Sequence, residues 1–388
     1  MPYQPLAGIR VLDLSRLLPG PYGTRLLVEL GAEVIKVETP LAGDYARMAP
    51  PHLGLGHIFE ATNRNKQSIA LNYRNARGRE IFLQLAKDAD VVFETFRPGA
   101  VKRWGMDYEA VRAVNPRVIY CSLSGYGQTG PYRDRAGHDL NYIGVGGLLA
   151  LNGAAGGPPI PPGVQIADLA GGMLAAIAIL GALTGRERTG QGAYLDVAML
   201  DAVVSWVAPL IDPQFLGTGR NPERGRMTLA GGLPCYNVYA TADGQYVTLG
   251  ALEPNFWMAF CNAVERADLI PRQFEHDAIP EVTAIFRGQT RAVWLARFQS
   301  VDACVEPVNS FAEMWRHPQV RHRGLVAAVE GQGDRIGSPL RFATREQPAP
   351  APALGAHTRE VLKRIGLSDE EIGELEAQGI VKAASEGL

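Results

Sequence analysis

Short apolar runs of strand length recur along the first half of the chain, separated by segments whose apolar residues fall at helical spacing. Ile9 to Leu14 reads as a strand, Pro19-Gly20-Pro21 as a turn, the segment carrying Leu26, Leu27 and Leu30 as an amphipathic helix, and Glu33 to Val37 as a second strand. That is a compact β-α-β unit. The pattern continues with strand-like Ser68 to Leu71, helical Gly78 to Ala86, strand-like Asp90 to Glu94, a short helix over Tyr108 to Val114 and a buried strand over Val118 to Leu123. Strands alternating with helices predict an α/β, Rossmann-like large domain with a mostly parallel, doubly wound sheet. The first turn lacks G-x-G-x-x-G, so a dinucleotide is not indicated.

From Asp168 a long apolar helix is predicted to about Gly185, followed by a strand at Ala193 to Val197 and a buried helix over Asp201 to Leu210. The polar stretch Asp212 to Gly232, rich in Gly, Pro and Arg, reads as a linker. A smaller α+β domain follows. Tyr236 to Tyr239 and Tyr246 to Leu249 flank Asp243-Gly244 as a hairpin signal, with helical patterns at Phe256 to Arg266 and Arg291 to Gln299. The expected division is 1–225 for the large domain, 226–320 for the small one and 321–388 for a segment returning to the large one. In that last segment Pro348 to Pro352 should be extended, Thr358 should cap a helix, and Ser368 and Glu371 have capping-box spacing.

A chain of 388 residues exceeds what one hydrophobic core usually serves, in keeping with two domains. With 38 basic against 40 acidic residues the net charge is -2, which argues against broad nucleic-acid or membrane-surface binding, so an anionic ligand needs a local cation cluster. The scattered cysteines, Cys121, Cys235, Cys261 and Cys304, have neither metal-ligand spacing nor disulfide density. The N-terminus has no signal-peptide pattern, and the apolar run Leu169 to Leu183, broken by glycines and headed by Asp168, is short for a membrane span. A reducing cytoplasm is the expected compartment.

Candidate chemistry centres on Gly137-His138-Asp139-Leu140-Asn141-Tyr142, after the glycine-rich run Ser124 to Pro131. Imidazole titrates nearest neutrality, and an adjacent carboxylate can orient it, act as a nucleophile or do neither. His317 and His322 sit among arginines, as solvated loop residues do, and His52, His57 and His276 have no evident partner.

Seven motifs in order resemble the family III coenzyme A transferases, the CaiB/BaiF superfamily, and within it the racemases of α-methylacyl-CoA. They are Leu6 to Asp13; Gly43-Asp44 with Arg47; Asn63 to Ser68; Phe96 to Gly99; Leu123 to Gly127; Arg188 to Gly192; and Leu354 to Glu360. The racemase branch is favoured by Ala136 to Tyr142, where transferases commonly lack the histidine, and by Gly250 to Pro254 and Val301 to Val305, which resemble racemase segments.

The resemblance implies an intertwined homodimer acting on acyl-CoA thioesters, with coenzyme A as part of the substrate and no permanently bound cofactor or metal. It implies His138 and Asp168 as the two bases of a racemase, with Glu253 orienting one of them. The alternative for Asp168 is a helix N-terminal carboxylate stabilised by the dipole, and for Glu253, before a proline, a helix cap. In a transferase Asp139 would attack the acyl-CoA and carry a CoA thioester. Coenzyme A phosphates need cations, for which Arg47, Arg64, Lys66 and Arg97 are candidates, with Asn65, Gly137 and Tyr142 beside the ligand.

Overall fold

A computed structural model describes residues 3–48, 56–211, 213–219, 221–329, 333–340 and 349–384. His52, Asp212 and Pro348 lie outside the described residues. The chain forms two compact units, one of residues 1–147, 163–208 and 325–388, the other of 148–162 and 209–324.

The first unit is built on a seven-stranded sheet in the order β12-β3-β2-β1-β4-β5-β6. Its strands are β1 (Arg10–Asp13), β2 (Glu33–Glu38), β3 (Gln67–Leu71), β4 (Val91–Glu94), β5 (Ile119–Ser124), β6 (Ala193–Ala198) and β12 (Val381–Lys382), while β10 (Val326–Val329) and β11 (Gly333–Ile336) pair with each other as a separate antiparallel ribbon. All neighbours from β3 to β6 are parallel, which gives the order 3-2-1-4-5-6 of a doubly wound fold. β4 and β5 are buried along their whole length, because helices cover both faces of a parallel sheet.

The sequence marked the long helix from Asp168; it runs Ile166–Thr189, and by length and composition its 24 residues could cross a membrane. Here it packs as a core helix against the helix Pro19–Glu29. A Cβ added at Gly23 would meet the Gly172 carbonyl oxygen at 2.7 Å, and one at Gly172 the Pro19 oxygen at 2.4 Å, so glycine lets the two backbones touch.

The C-terminal residues complete this unit. Val361, Leu362, Ile372, Leu375, Ile380 and Val381 share one apolar cluster with Leu12, Ile35, Ile69 and Phe82. Ser368 and Glu371 form the expected capping box. Thr358 is not a cap: His357 occupies that position, and the Thr358 hydroxyl accepts the Ala70 N–H at 3.0 Å and donates to the Lys382 carbonyl at 2.8 Å. The hydroxyl serves the edge of β3, whose unpaired groups would otherwise be open to solvent. β12 covers the same edge antiparallel, Val381 opposite Leu71, a pairing two residues long and invisible to periodicity.

In the second unit β7 (Tyr236–Ala240) and β8 (Tyr246–Gly250) form the hairpin. Its loop is wider than an Asp-Gly turn. The Thr241 N–H donates to the Gln245 oxygen, the Thr241 hydroxyl to Asp243, and Gly244 takes φ 71°. β9 (Val305–Pro307) adds a third antiparallel strand, and Tyr239, Trp257, Phe260, Phe286, Trp294 and Phe298 make the ring-stacked core. Arg224 ties 148–162 into this unit by donating to the carbonyls of Ala150, at 2.8 Å, and Gly157.

Candidate active site

Ligands on doubly wound sheets sit beyond the strand carboxyl ends where the order reverses, here between β1 and β4. A cavity of about 310 Å³ lies there. The turns after β1 (Arg16, Leu17), β4 (Thr95, Phe96, Arg97, Pro98) and β5 (Gly125, Tyr126) line it, with His138, Tyr142 and Asp168. The β4 turn is fixed from below by Glu94, whose Oε2 accepts the Phe96 N–H at 2.6 Å. Burial pushes the Glu94 carboxyl up to about 7, against hydrogen bonds from Ser122 and Phe96.

His138 is the extended N-cap of the helix Asp139–Val145, its own N–H donating to Asn141 Oδ1 at 3.0 Å. Tyr142, one turn on, is buried and donates its hydroxyl to the Gly137 carbonyl. A Cβ at Gly125 or Gly137 would come within 2.4 or 2.8 Å of the Tyr142 ring, so glycine at both positions is what admits that ring. Burial, with Asp168 as the second cause, holds the Tyr142 phenol protonated well beyond its ordinary range.

Asp139 faces the start of the helix Ile166–Thr189. Its Oδ1 accepts from the N–H groups of Ala167 at 2.6 Å and Asp168 at 3.1 Å. These amides lack intrahelical acceptors, and the N-cap residue Gln165 makes no side-chain cap. Asp139 therefore caps one helix from the first position of another, joining the N-terminus that carries His138 to the one that carries Asp168. Asp168 lies on the cavity wall, and Asp139 does not. Burial first, then the neighbouring Asp139 charge, push the Asp168 carboxyl from 3.8 up to about 7. A carboxyl poised there can both take and give a proton at neutral pH.

Four arginines line the cavity: Arg16, Arg97, Arg133 and Arg135. Arg16 stacks over Phe96 at 4.5 Å and Tyr45 at 4.9 Å, Arg135 over Tyr132 at 3.9 Å, and Arg133 donates to the Gln128 carbonyl at 2.9 Å. Of these only Arg97 was singled out from sequence. Arg16 was findable, since it lies three residues after β1, in the turn at the reversal of strand order; Arg133 and Arg135 lie in a polar loop that no local pattern distinguishes.

The other expected phosphate ligands are engaged elsewhere. Lys66 is corrected to a core residue. Its side chain is 0% exposed, and Nζ meets Asp13 Oδ2 at 3.0 Å, Thr24 Oγ1 at 2.7 Å, Asn63 Oδ1 at 3.0 Å and the Pro21 carbonyl at 3.1 Å. Burial alone would raise the Asp13 carboxyl; Lys66, Lys36 and the hydroxyls of Ser15 and Thr24 hold it at about 2. Arg47 makes a two-point bridge to Glu38 at 2.7 and 2.8 Å, donates to the Pro352 carbonyl at 2.9 Å and lies 3.7 Å over the Phe59 ring. Arg64 is buried and donates to the Ile336 carbonyl, while Asn65, at φ 61°, accepts the Ala349 N–H on its side chain. Glu253 belongs to the second unit, where it is the exposed N-cap before Pro254 and makes no side-chain cap.

The model of CoA-transferase family III matches residues 6–358. Human succinyl-CoA:glutarate CoA-transferase is 34% identical over 97% of this chain and 90% of its own length. Human alpha-methylacyl-CoA racemase is also 34% identical, over 97% of this chain and 98% of its own. A crystal structure of a CaiB/BaiF family protein from Brucella suis superposes with a TM-score of 0.80 at 31% identity, over 93% of this chain and 99% of that one. Coverage of this extent, on a doubly wound fold with an arginine-rimmed cavity, makes the chain a member of CoA-transferase family III.

Proposed function

We propose that the protein epimerises 2-methylacyl-CoA thioesters by two-base proton transfer. One base takes the α-proton, the thioester carbonyl becomes an enolate oxygen, and the conjugate acid of the other base returns a proton to the opposite face. The reading rests on one observation: His138 and Asp168 lie on the wall of the same cavity, and the carboxyl of Asp168 is pushed to about 7. Arg16, Arg97, Arg133 and Arg135 suit the phosphates of coenzyme A. A homodimer, in which Glu253 of one protomer would face His138 of the other, is part of the same proposal. The dimer is supported by the apolar side chains that the helix Ile166–Thr189 leaves exposed, Ile177 at 62% and Met173 at 42%.

A CoA transferase is the second reading, favoured by relatives named for that reaction. In it the attacking carboxylate is Asp168 rather than Asp139, because Asp139 Oδ1 is held by two amides and Asp168 faces the cavity. Incubation of a 2-methylacyl-CoA in deuterium oxide without an acceptor acid separates the readings. Racemisation incorporates deuterium at the α-carbon while the stereochemistry scrambles, and His138→Ala slows exchange from one enantiomer by about 10²- to 10⁴-fold. No α-exchange, together with an acyl-enzyme trapped by hydroxylamine at Asp168, would establish the transferase.

A further inference from the structure

The turn after β1 is held in a conformation that its sequence disfavours. Leu17 has φ 64°, in the left-handed region that residues with a Cβ rarely enter. Its N–H is gripped by both oxygens of Asp44, at 3.0 and 3.2 Å. The same carboxylate accepts the Ala46 N–H at 3.0 Å and meets Lys36 Nζ at 3.0 Å, both charged side chains being 0% exposed. Lys36 in turn donates to the Ser15 carbonyl at 2.8 Å.

The buried pair thus holds the residue before Arg16 through Lys36 and the residue after it through Asp44. It also fixes Tyr45, which lies between Asp44 and Ala46, and Arg16 stacks on that ring. Burial would lower the Lys36 amine, but Asp44, Asp13 and Glu38 around it more than reverse that, so the amine stays charged. A buried ion pair adds little net stability over apolar residues of the same volume. What this one does is hold a strained turn on the wall of the cavity.

We propose that Asp44 is a positioning residue. With Lys36 it pins the Arg16–Leu17 turn so that the Arg16 guanidinium, backed by Tyr45 and Phe96, is presented to an anionic group of the substrate. The proposal rests on the acyl-CoA reading of the cavity, with a phosphate of coenzyme A as that group.

The test is Asp44→Asn, which keeps the side-chain shape and loses the charge against Lys36. Coenzyme A affinity is followed by calorimetry, turnover by α-deuteration, and the turn by hydrogen exchange of the 14–19 stretch in ligand-free protein. Dissociation constant and KM should rise about tenfold with kcat within about twofold, the scale of one charge-assisted hydrogen bond out of place, and the Leu17 amide should exchange faster. In the Arg16→Ala background the same change should cost less than about twofold, because Asp44 acts through Arg16. Leu17→Gly, which removes the Cβ penalty, should restore part of the affinity lost in Asp44→Asn. Should Asp44→Asn not fold, Asp44→Glu, which keeps the charge and displaces both oxygens, gives the same readout.

Equal losses with and without Arg16, or unchanged affinity in a folded variant, would overturn the proposal. Wild-type protein that binds neither coenzyme A nor an acyl-CoA would sink the acyl-CoA reading instead. Exchange in the ligand-free protein then decides the pin, and slow Leu17 exchange that survives Asp44→Asn overturns it.

Discussion

Asp139→Asn separates the charge of Asp139 from its capping role. Asparagine keeps an Oδ1 for the amides of Ala167 and Asp168, so both helix starts stay joined, and one negative charge beside Asp168 disappears. The Asp168 carboxyl is raised from 3.8 to about 7, with burial the larger cause and Asp139 the second. Two carboxylates about 6 Å apart at an effective dielectric of about 20 repel by about 2.8 kcal/mol, or about 2 pKa units. Solvent at the half-buried Asp139 screens part of that, which leaves a fall of about 1 unit. Asp168 acts as a base only when deprotonated. The rising limb of exchange from the enantiomer it deprotonates should therefore move from about pH 7 toward about pH 6, a gain of roughly fivefold at pH 6, less what the weaker base loses.

Deuterium wash-in from each enantiomer between about pH 5 and 9, with a carbon-13 titration of the carboxyl, measures the shift. Stability should move with it. A carboxyl raised above its unfolded value binds an extra proton in the native state between about pH 4 and 7, so its contribution to stability falls as pH rises through that window. Asp139→Asn should therefore shrink the fall in stability across that window, read as a smaller drop in melting temperature between about pH 5 and 8 than in the wild type. A limb that stays put or moves up refutes the electrostatic argument, and loss of all activity in a well-folded variant would return the nucleophile's role to Asp139.

Two further outcomes follow from the same geometry. Lys66→Met leaves Asp13 buried beside one fewer cation and should destabilise the fold by about 3 to 5 kcal/mol in chemical denaturation; a stable variant with weakened coenzyme A binding would instead make Lys66 a ligand. The proposed homodimer should sediment as a two-chain species at assay concentrations, and a stable, active monomer would end that proposal.

Much of the fold was legible because parallel strands buried on both faces must be apolar almost throughout. β4 and β5 could thus be read within a residue or two, β1 and β2 from the apolar pairs Val11-Leu12 and Val34-Ile35 inside charged ends, and the long helix was evident from Leu169 to Leu183. What periodicity could not supply were elements defined by partners rather than by pattern. β12 is too short to have a period, and the Thr358 hydroxyl, well spaced for a cap, serves the edge of β3. The hairpin was legible as a hairpin but the form of its turn was not, since Thr241 and Gly244 close the loop by hydrogen bonds that composition does not announce.

The candidate site divides along a physical line. His138 and Asp168 were named from the sequence and lie on one cavity, whereas the expected phosphate ligands divide by whether their charges are already engaged within the fold. Lys66 lies just before β3 and meets Asp13 at the end of β1, and Arg47 turns back to Glu38 at the end of β2, so each cation meets a carboxylate at a strand end. In a low-dielectric layer a cation without such a partner would be very costly, so the pairing follows from burial. Arg16 and Arg97 come three residues beyond the last residues of β1 and β4, where the chain has left the sheet, and neither forms an ion pair among the described residues, although Arg16 is close enough to Glu94 to act on its carboxyl. Their charge stays available to a ligand because the chain there faces the cavity. Arg47 also follows the carboxyl end of its strand, so what separates it from Arg16 and Arg97 is the ion pair with Glu38, and a cation beyond a strand end is free for a ligand when no buried carboxylate pairs with it.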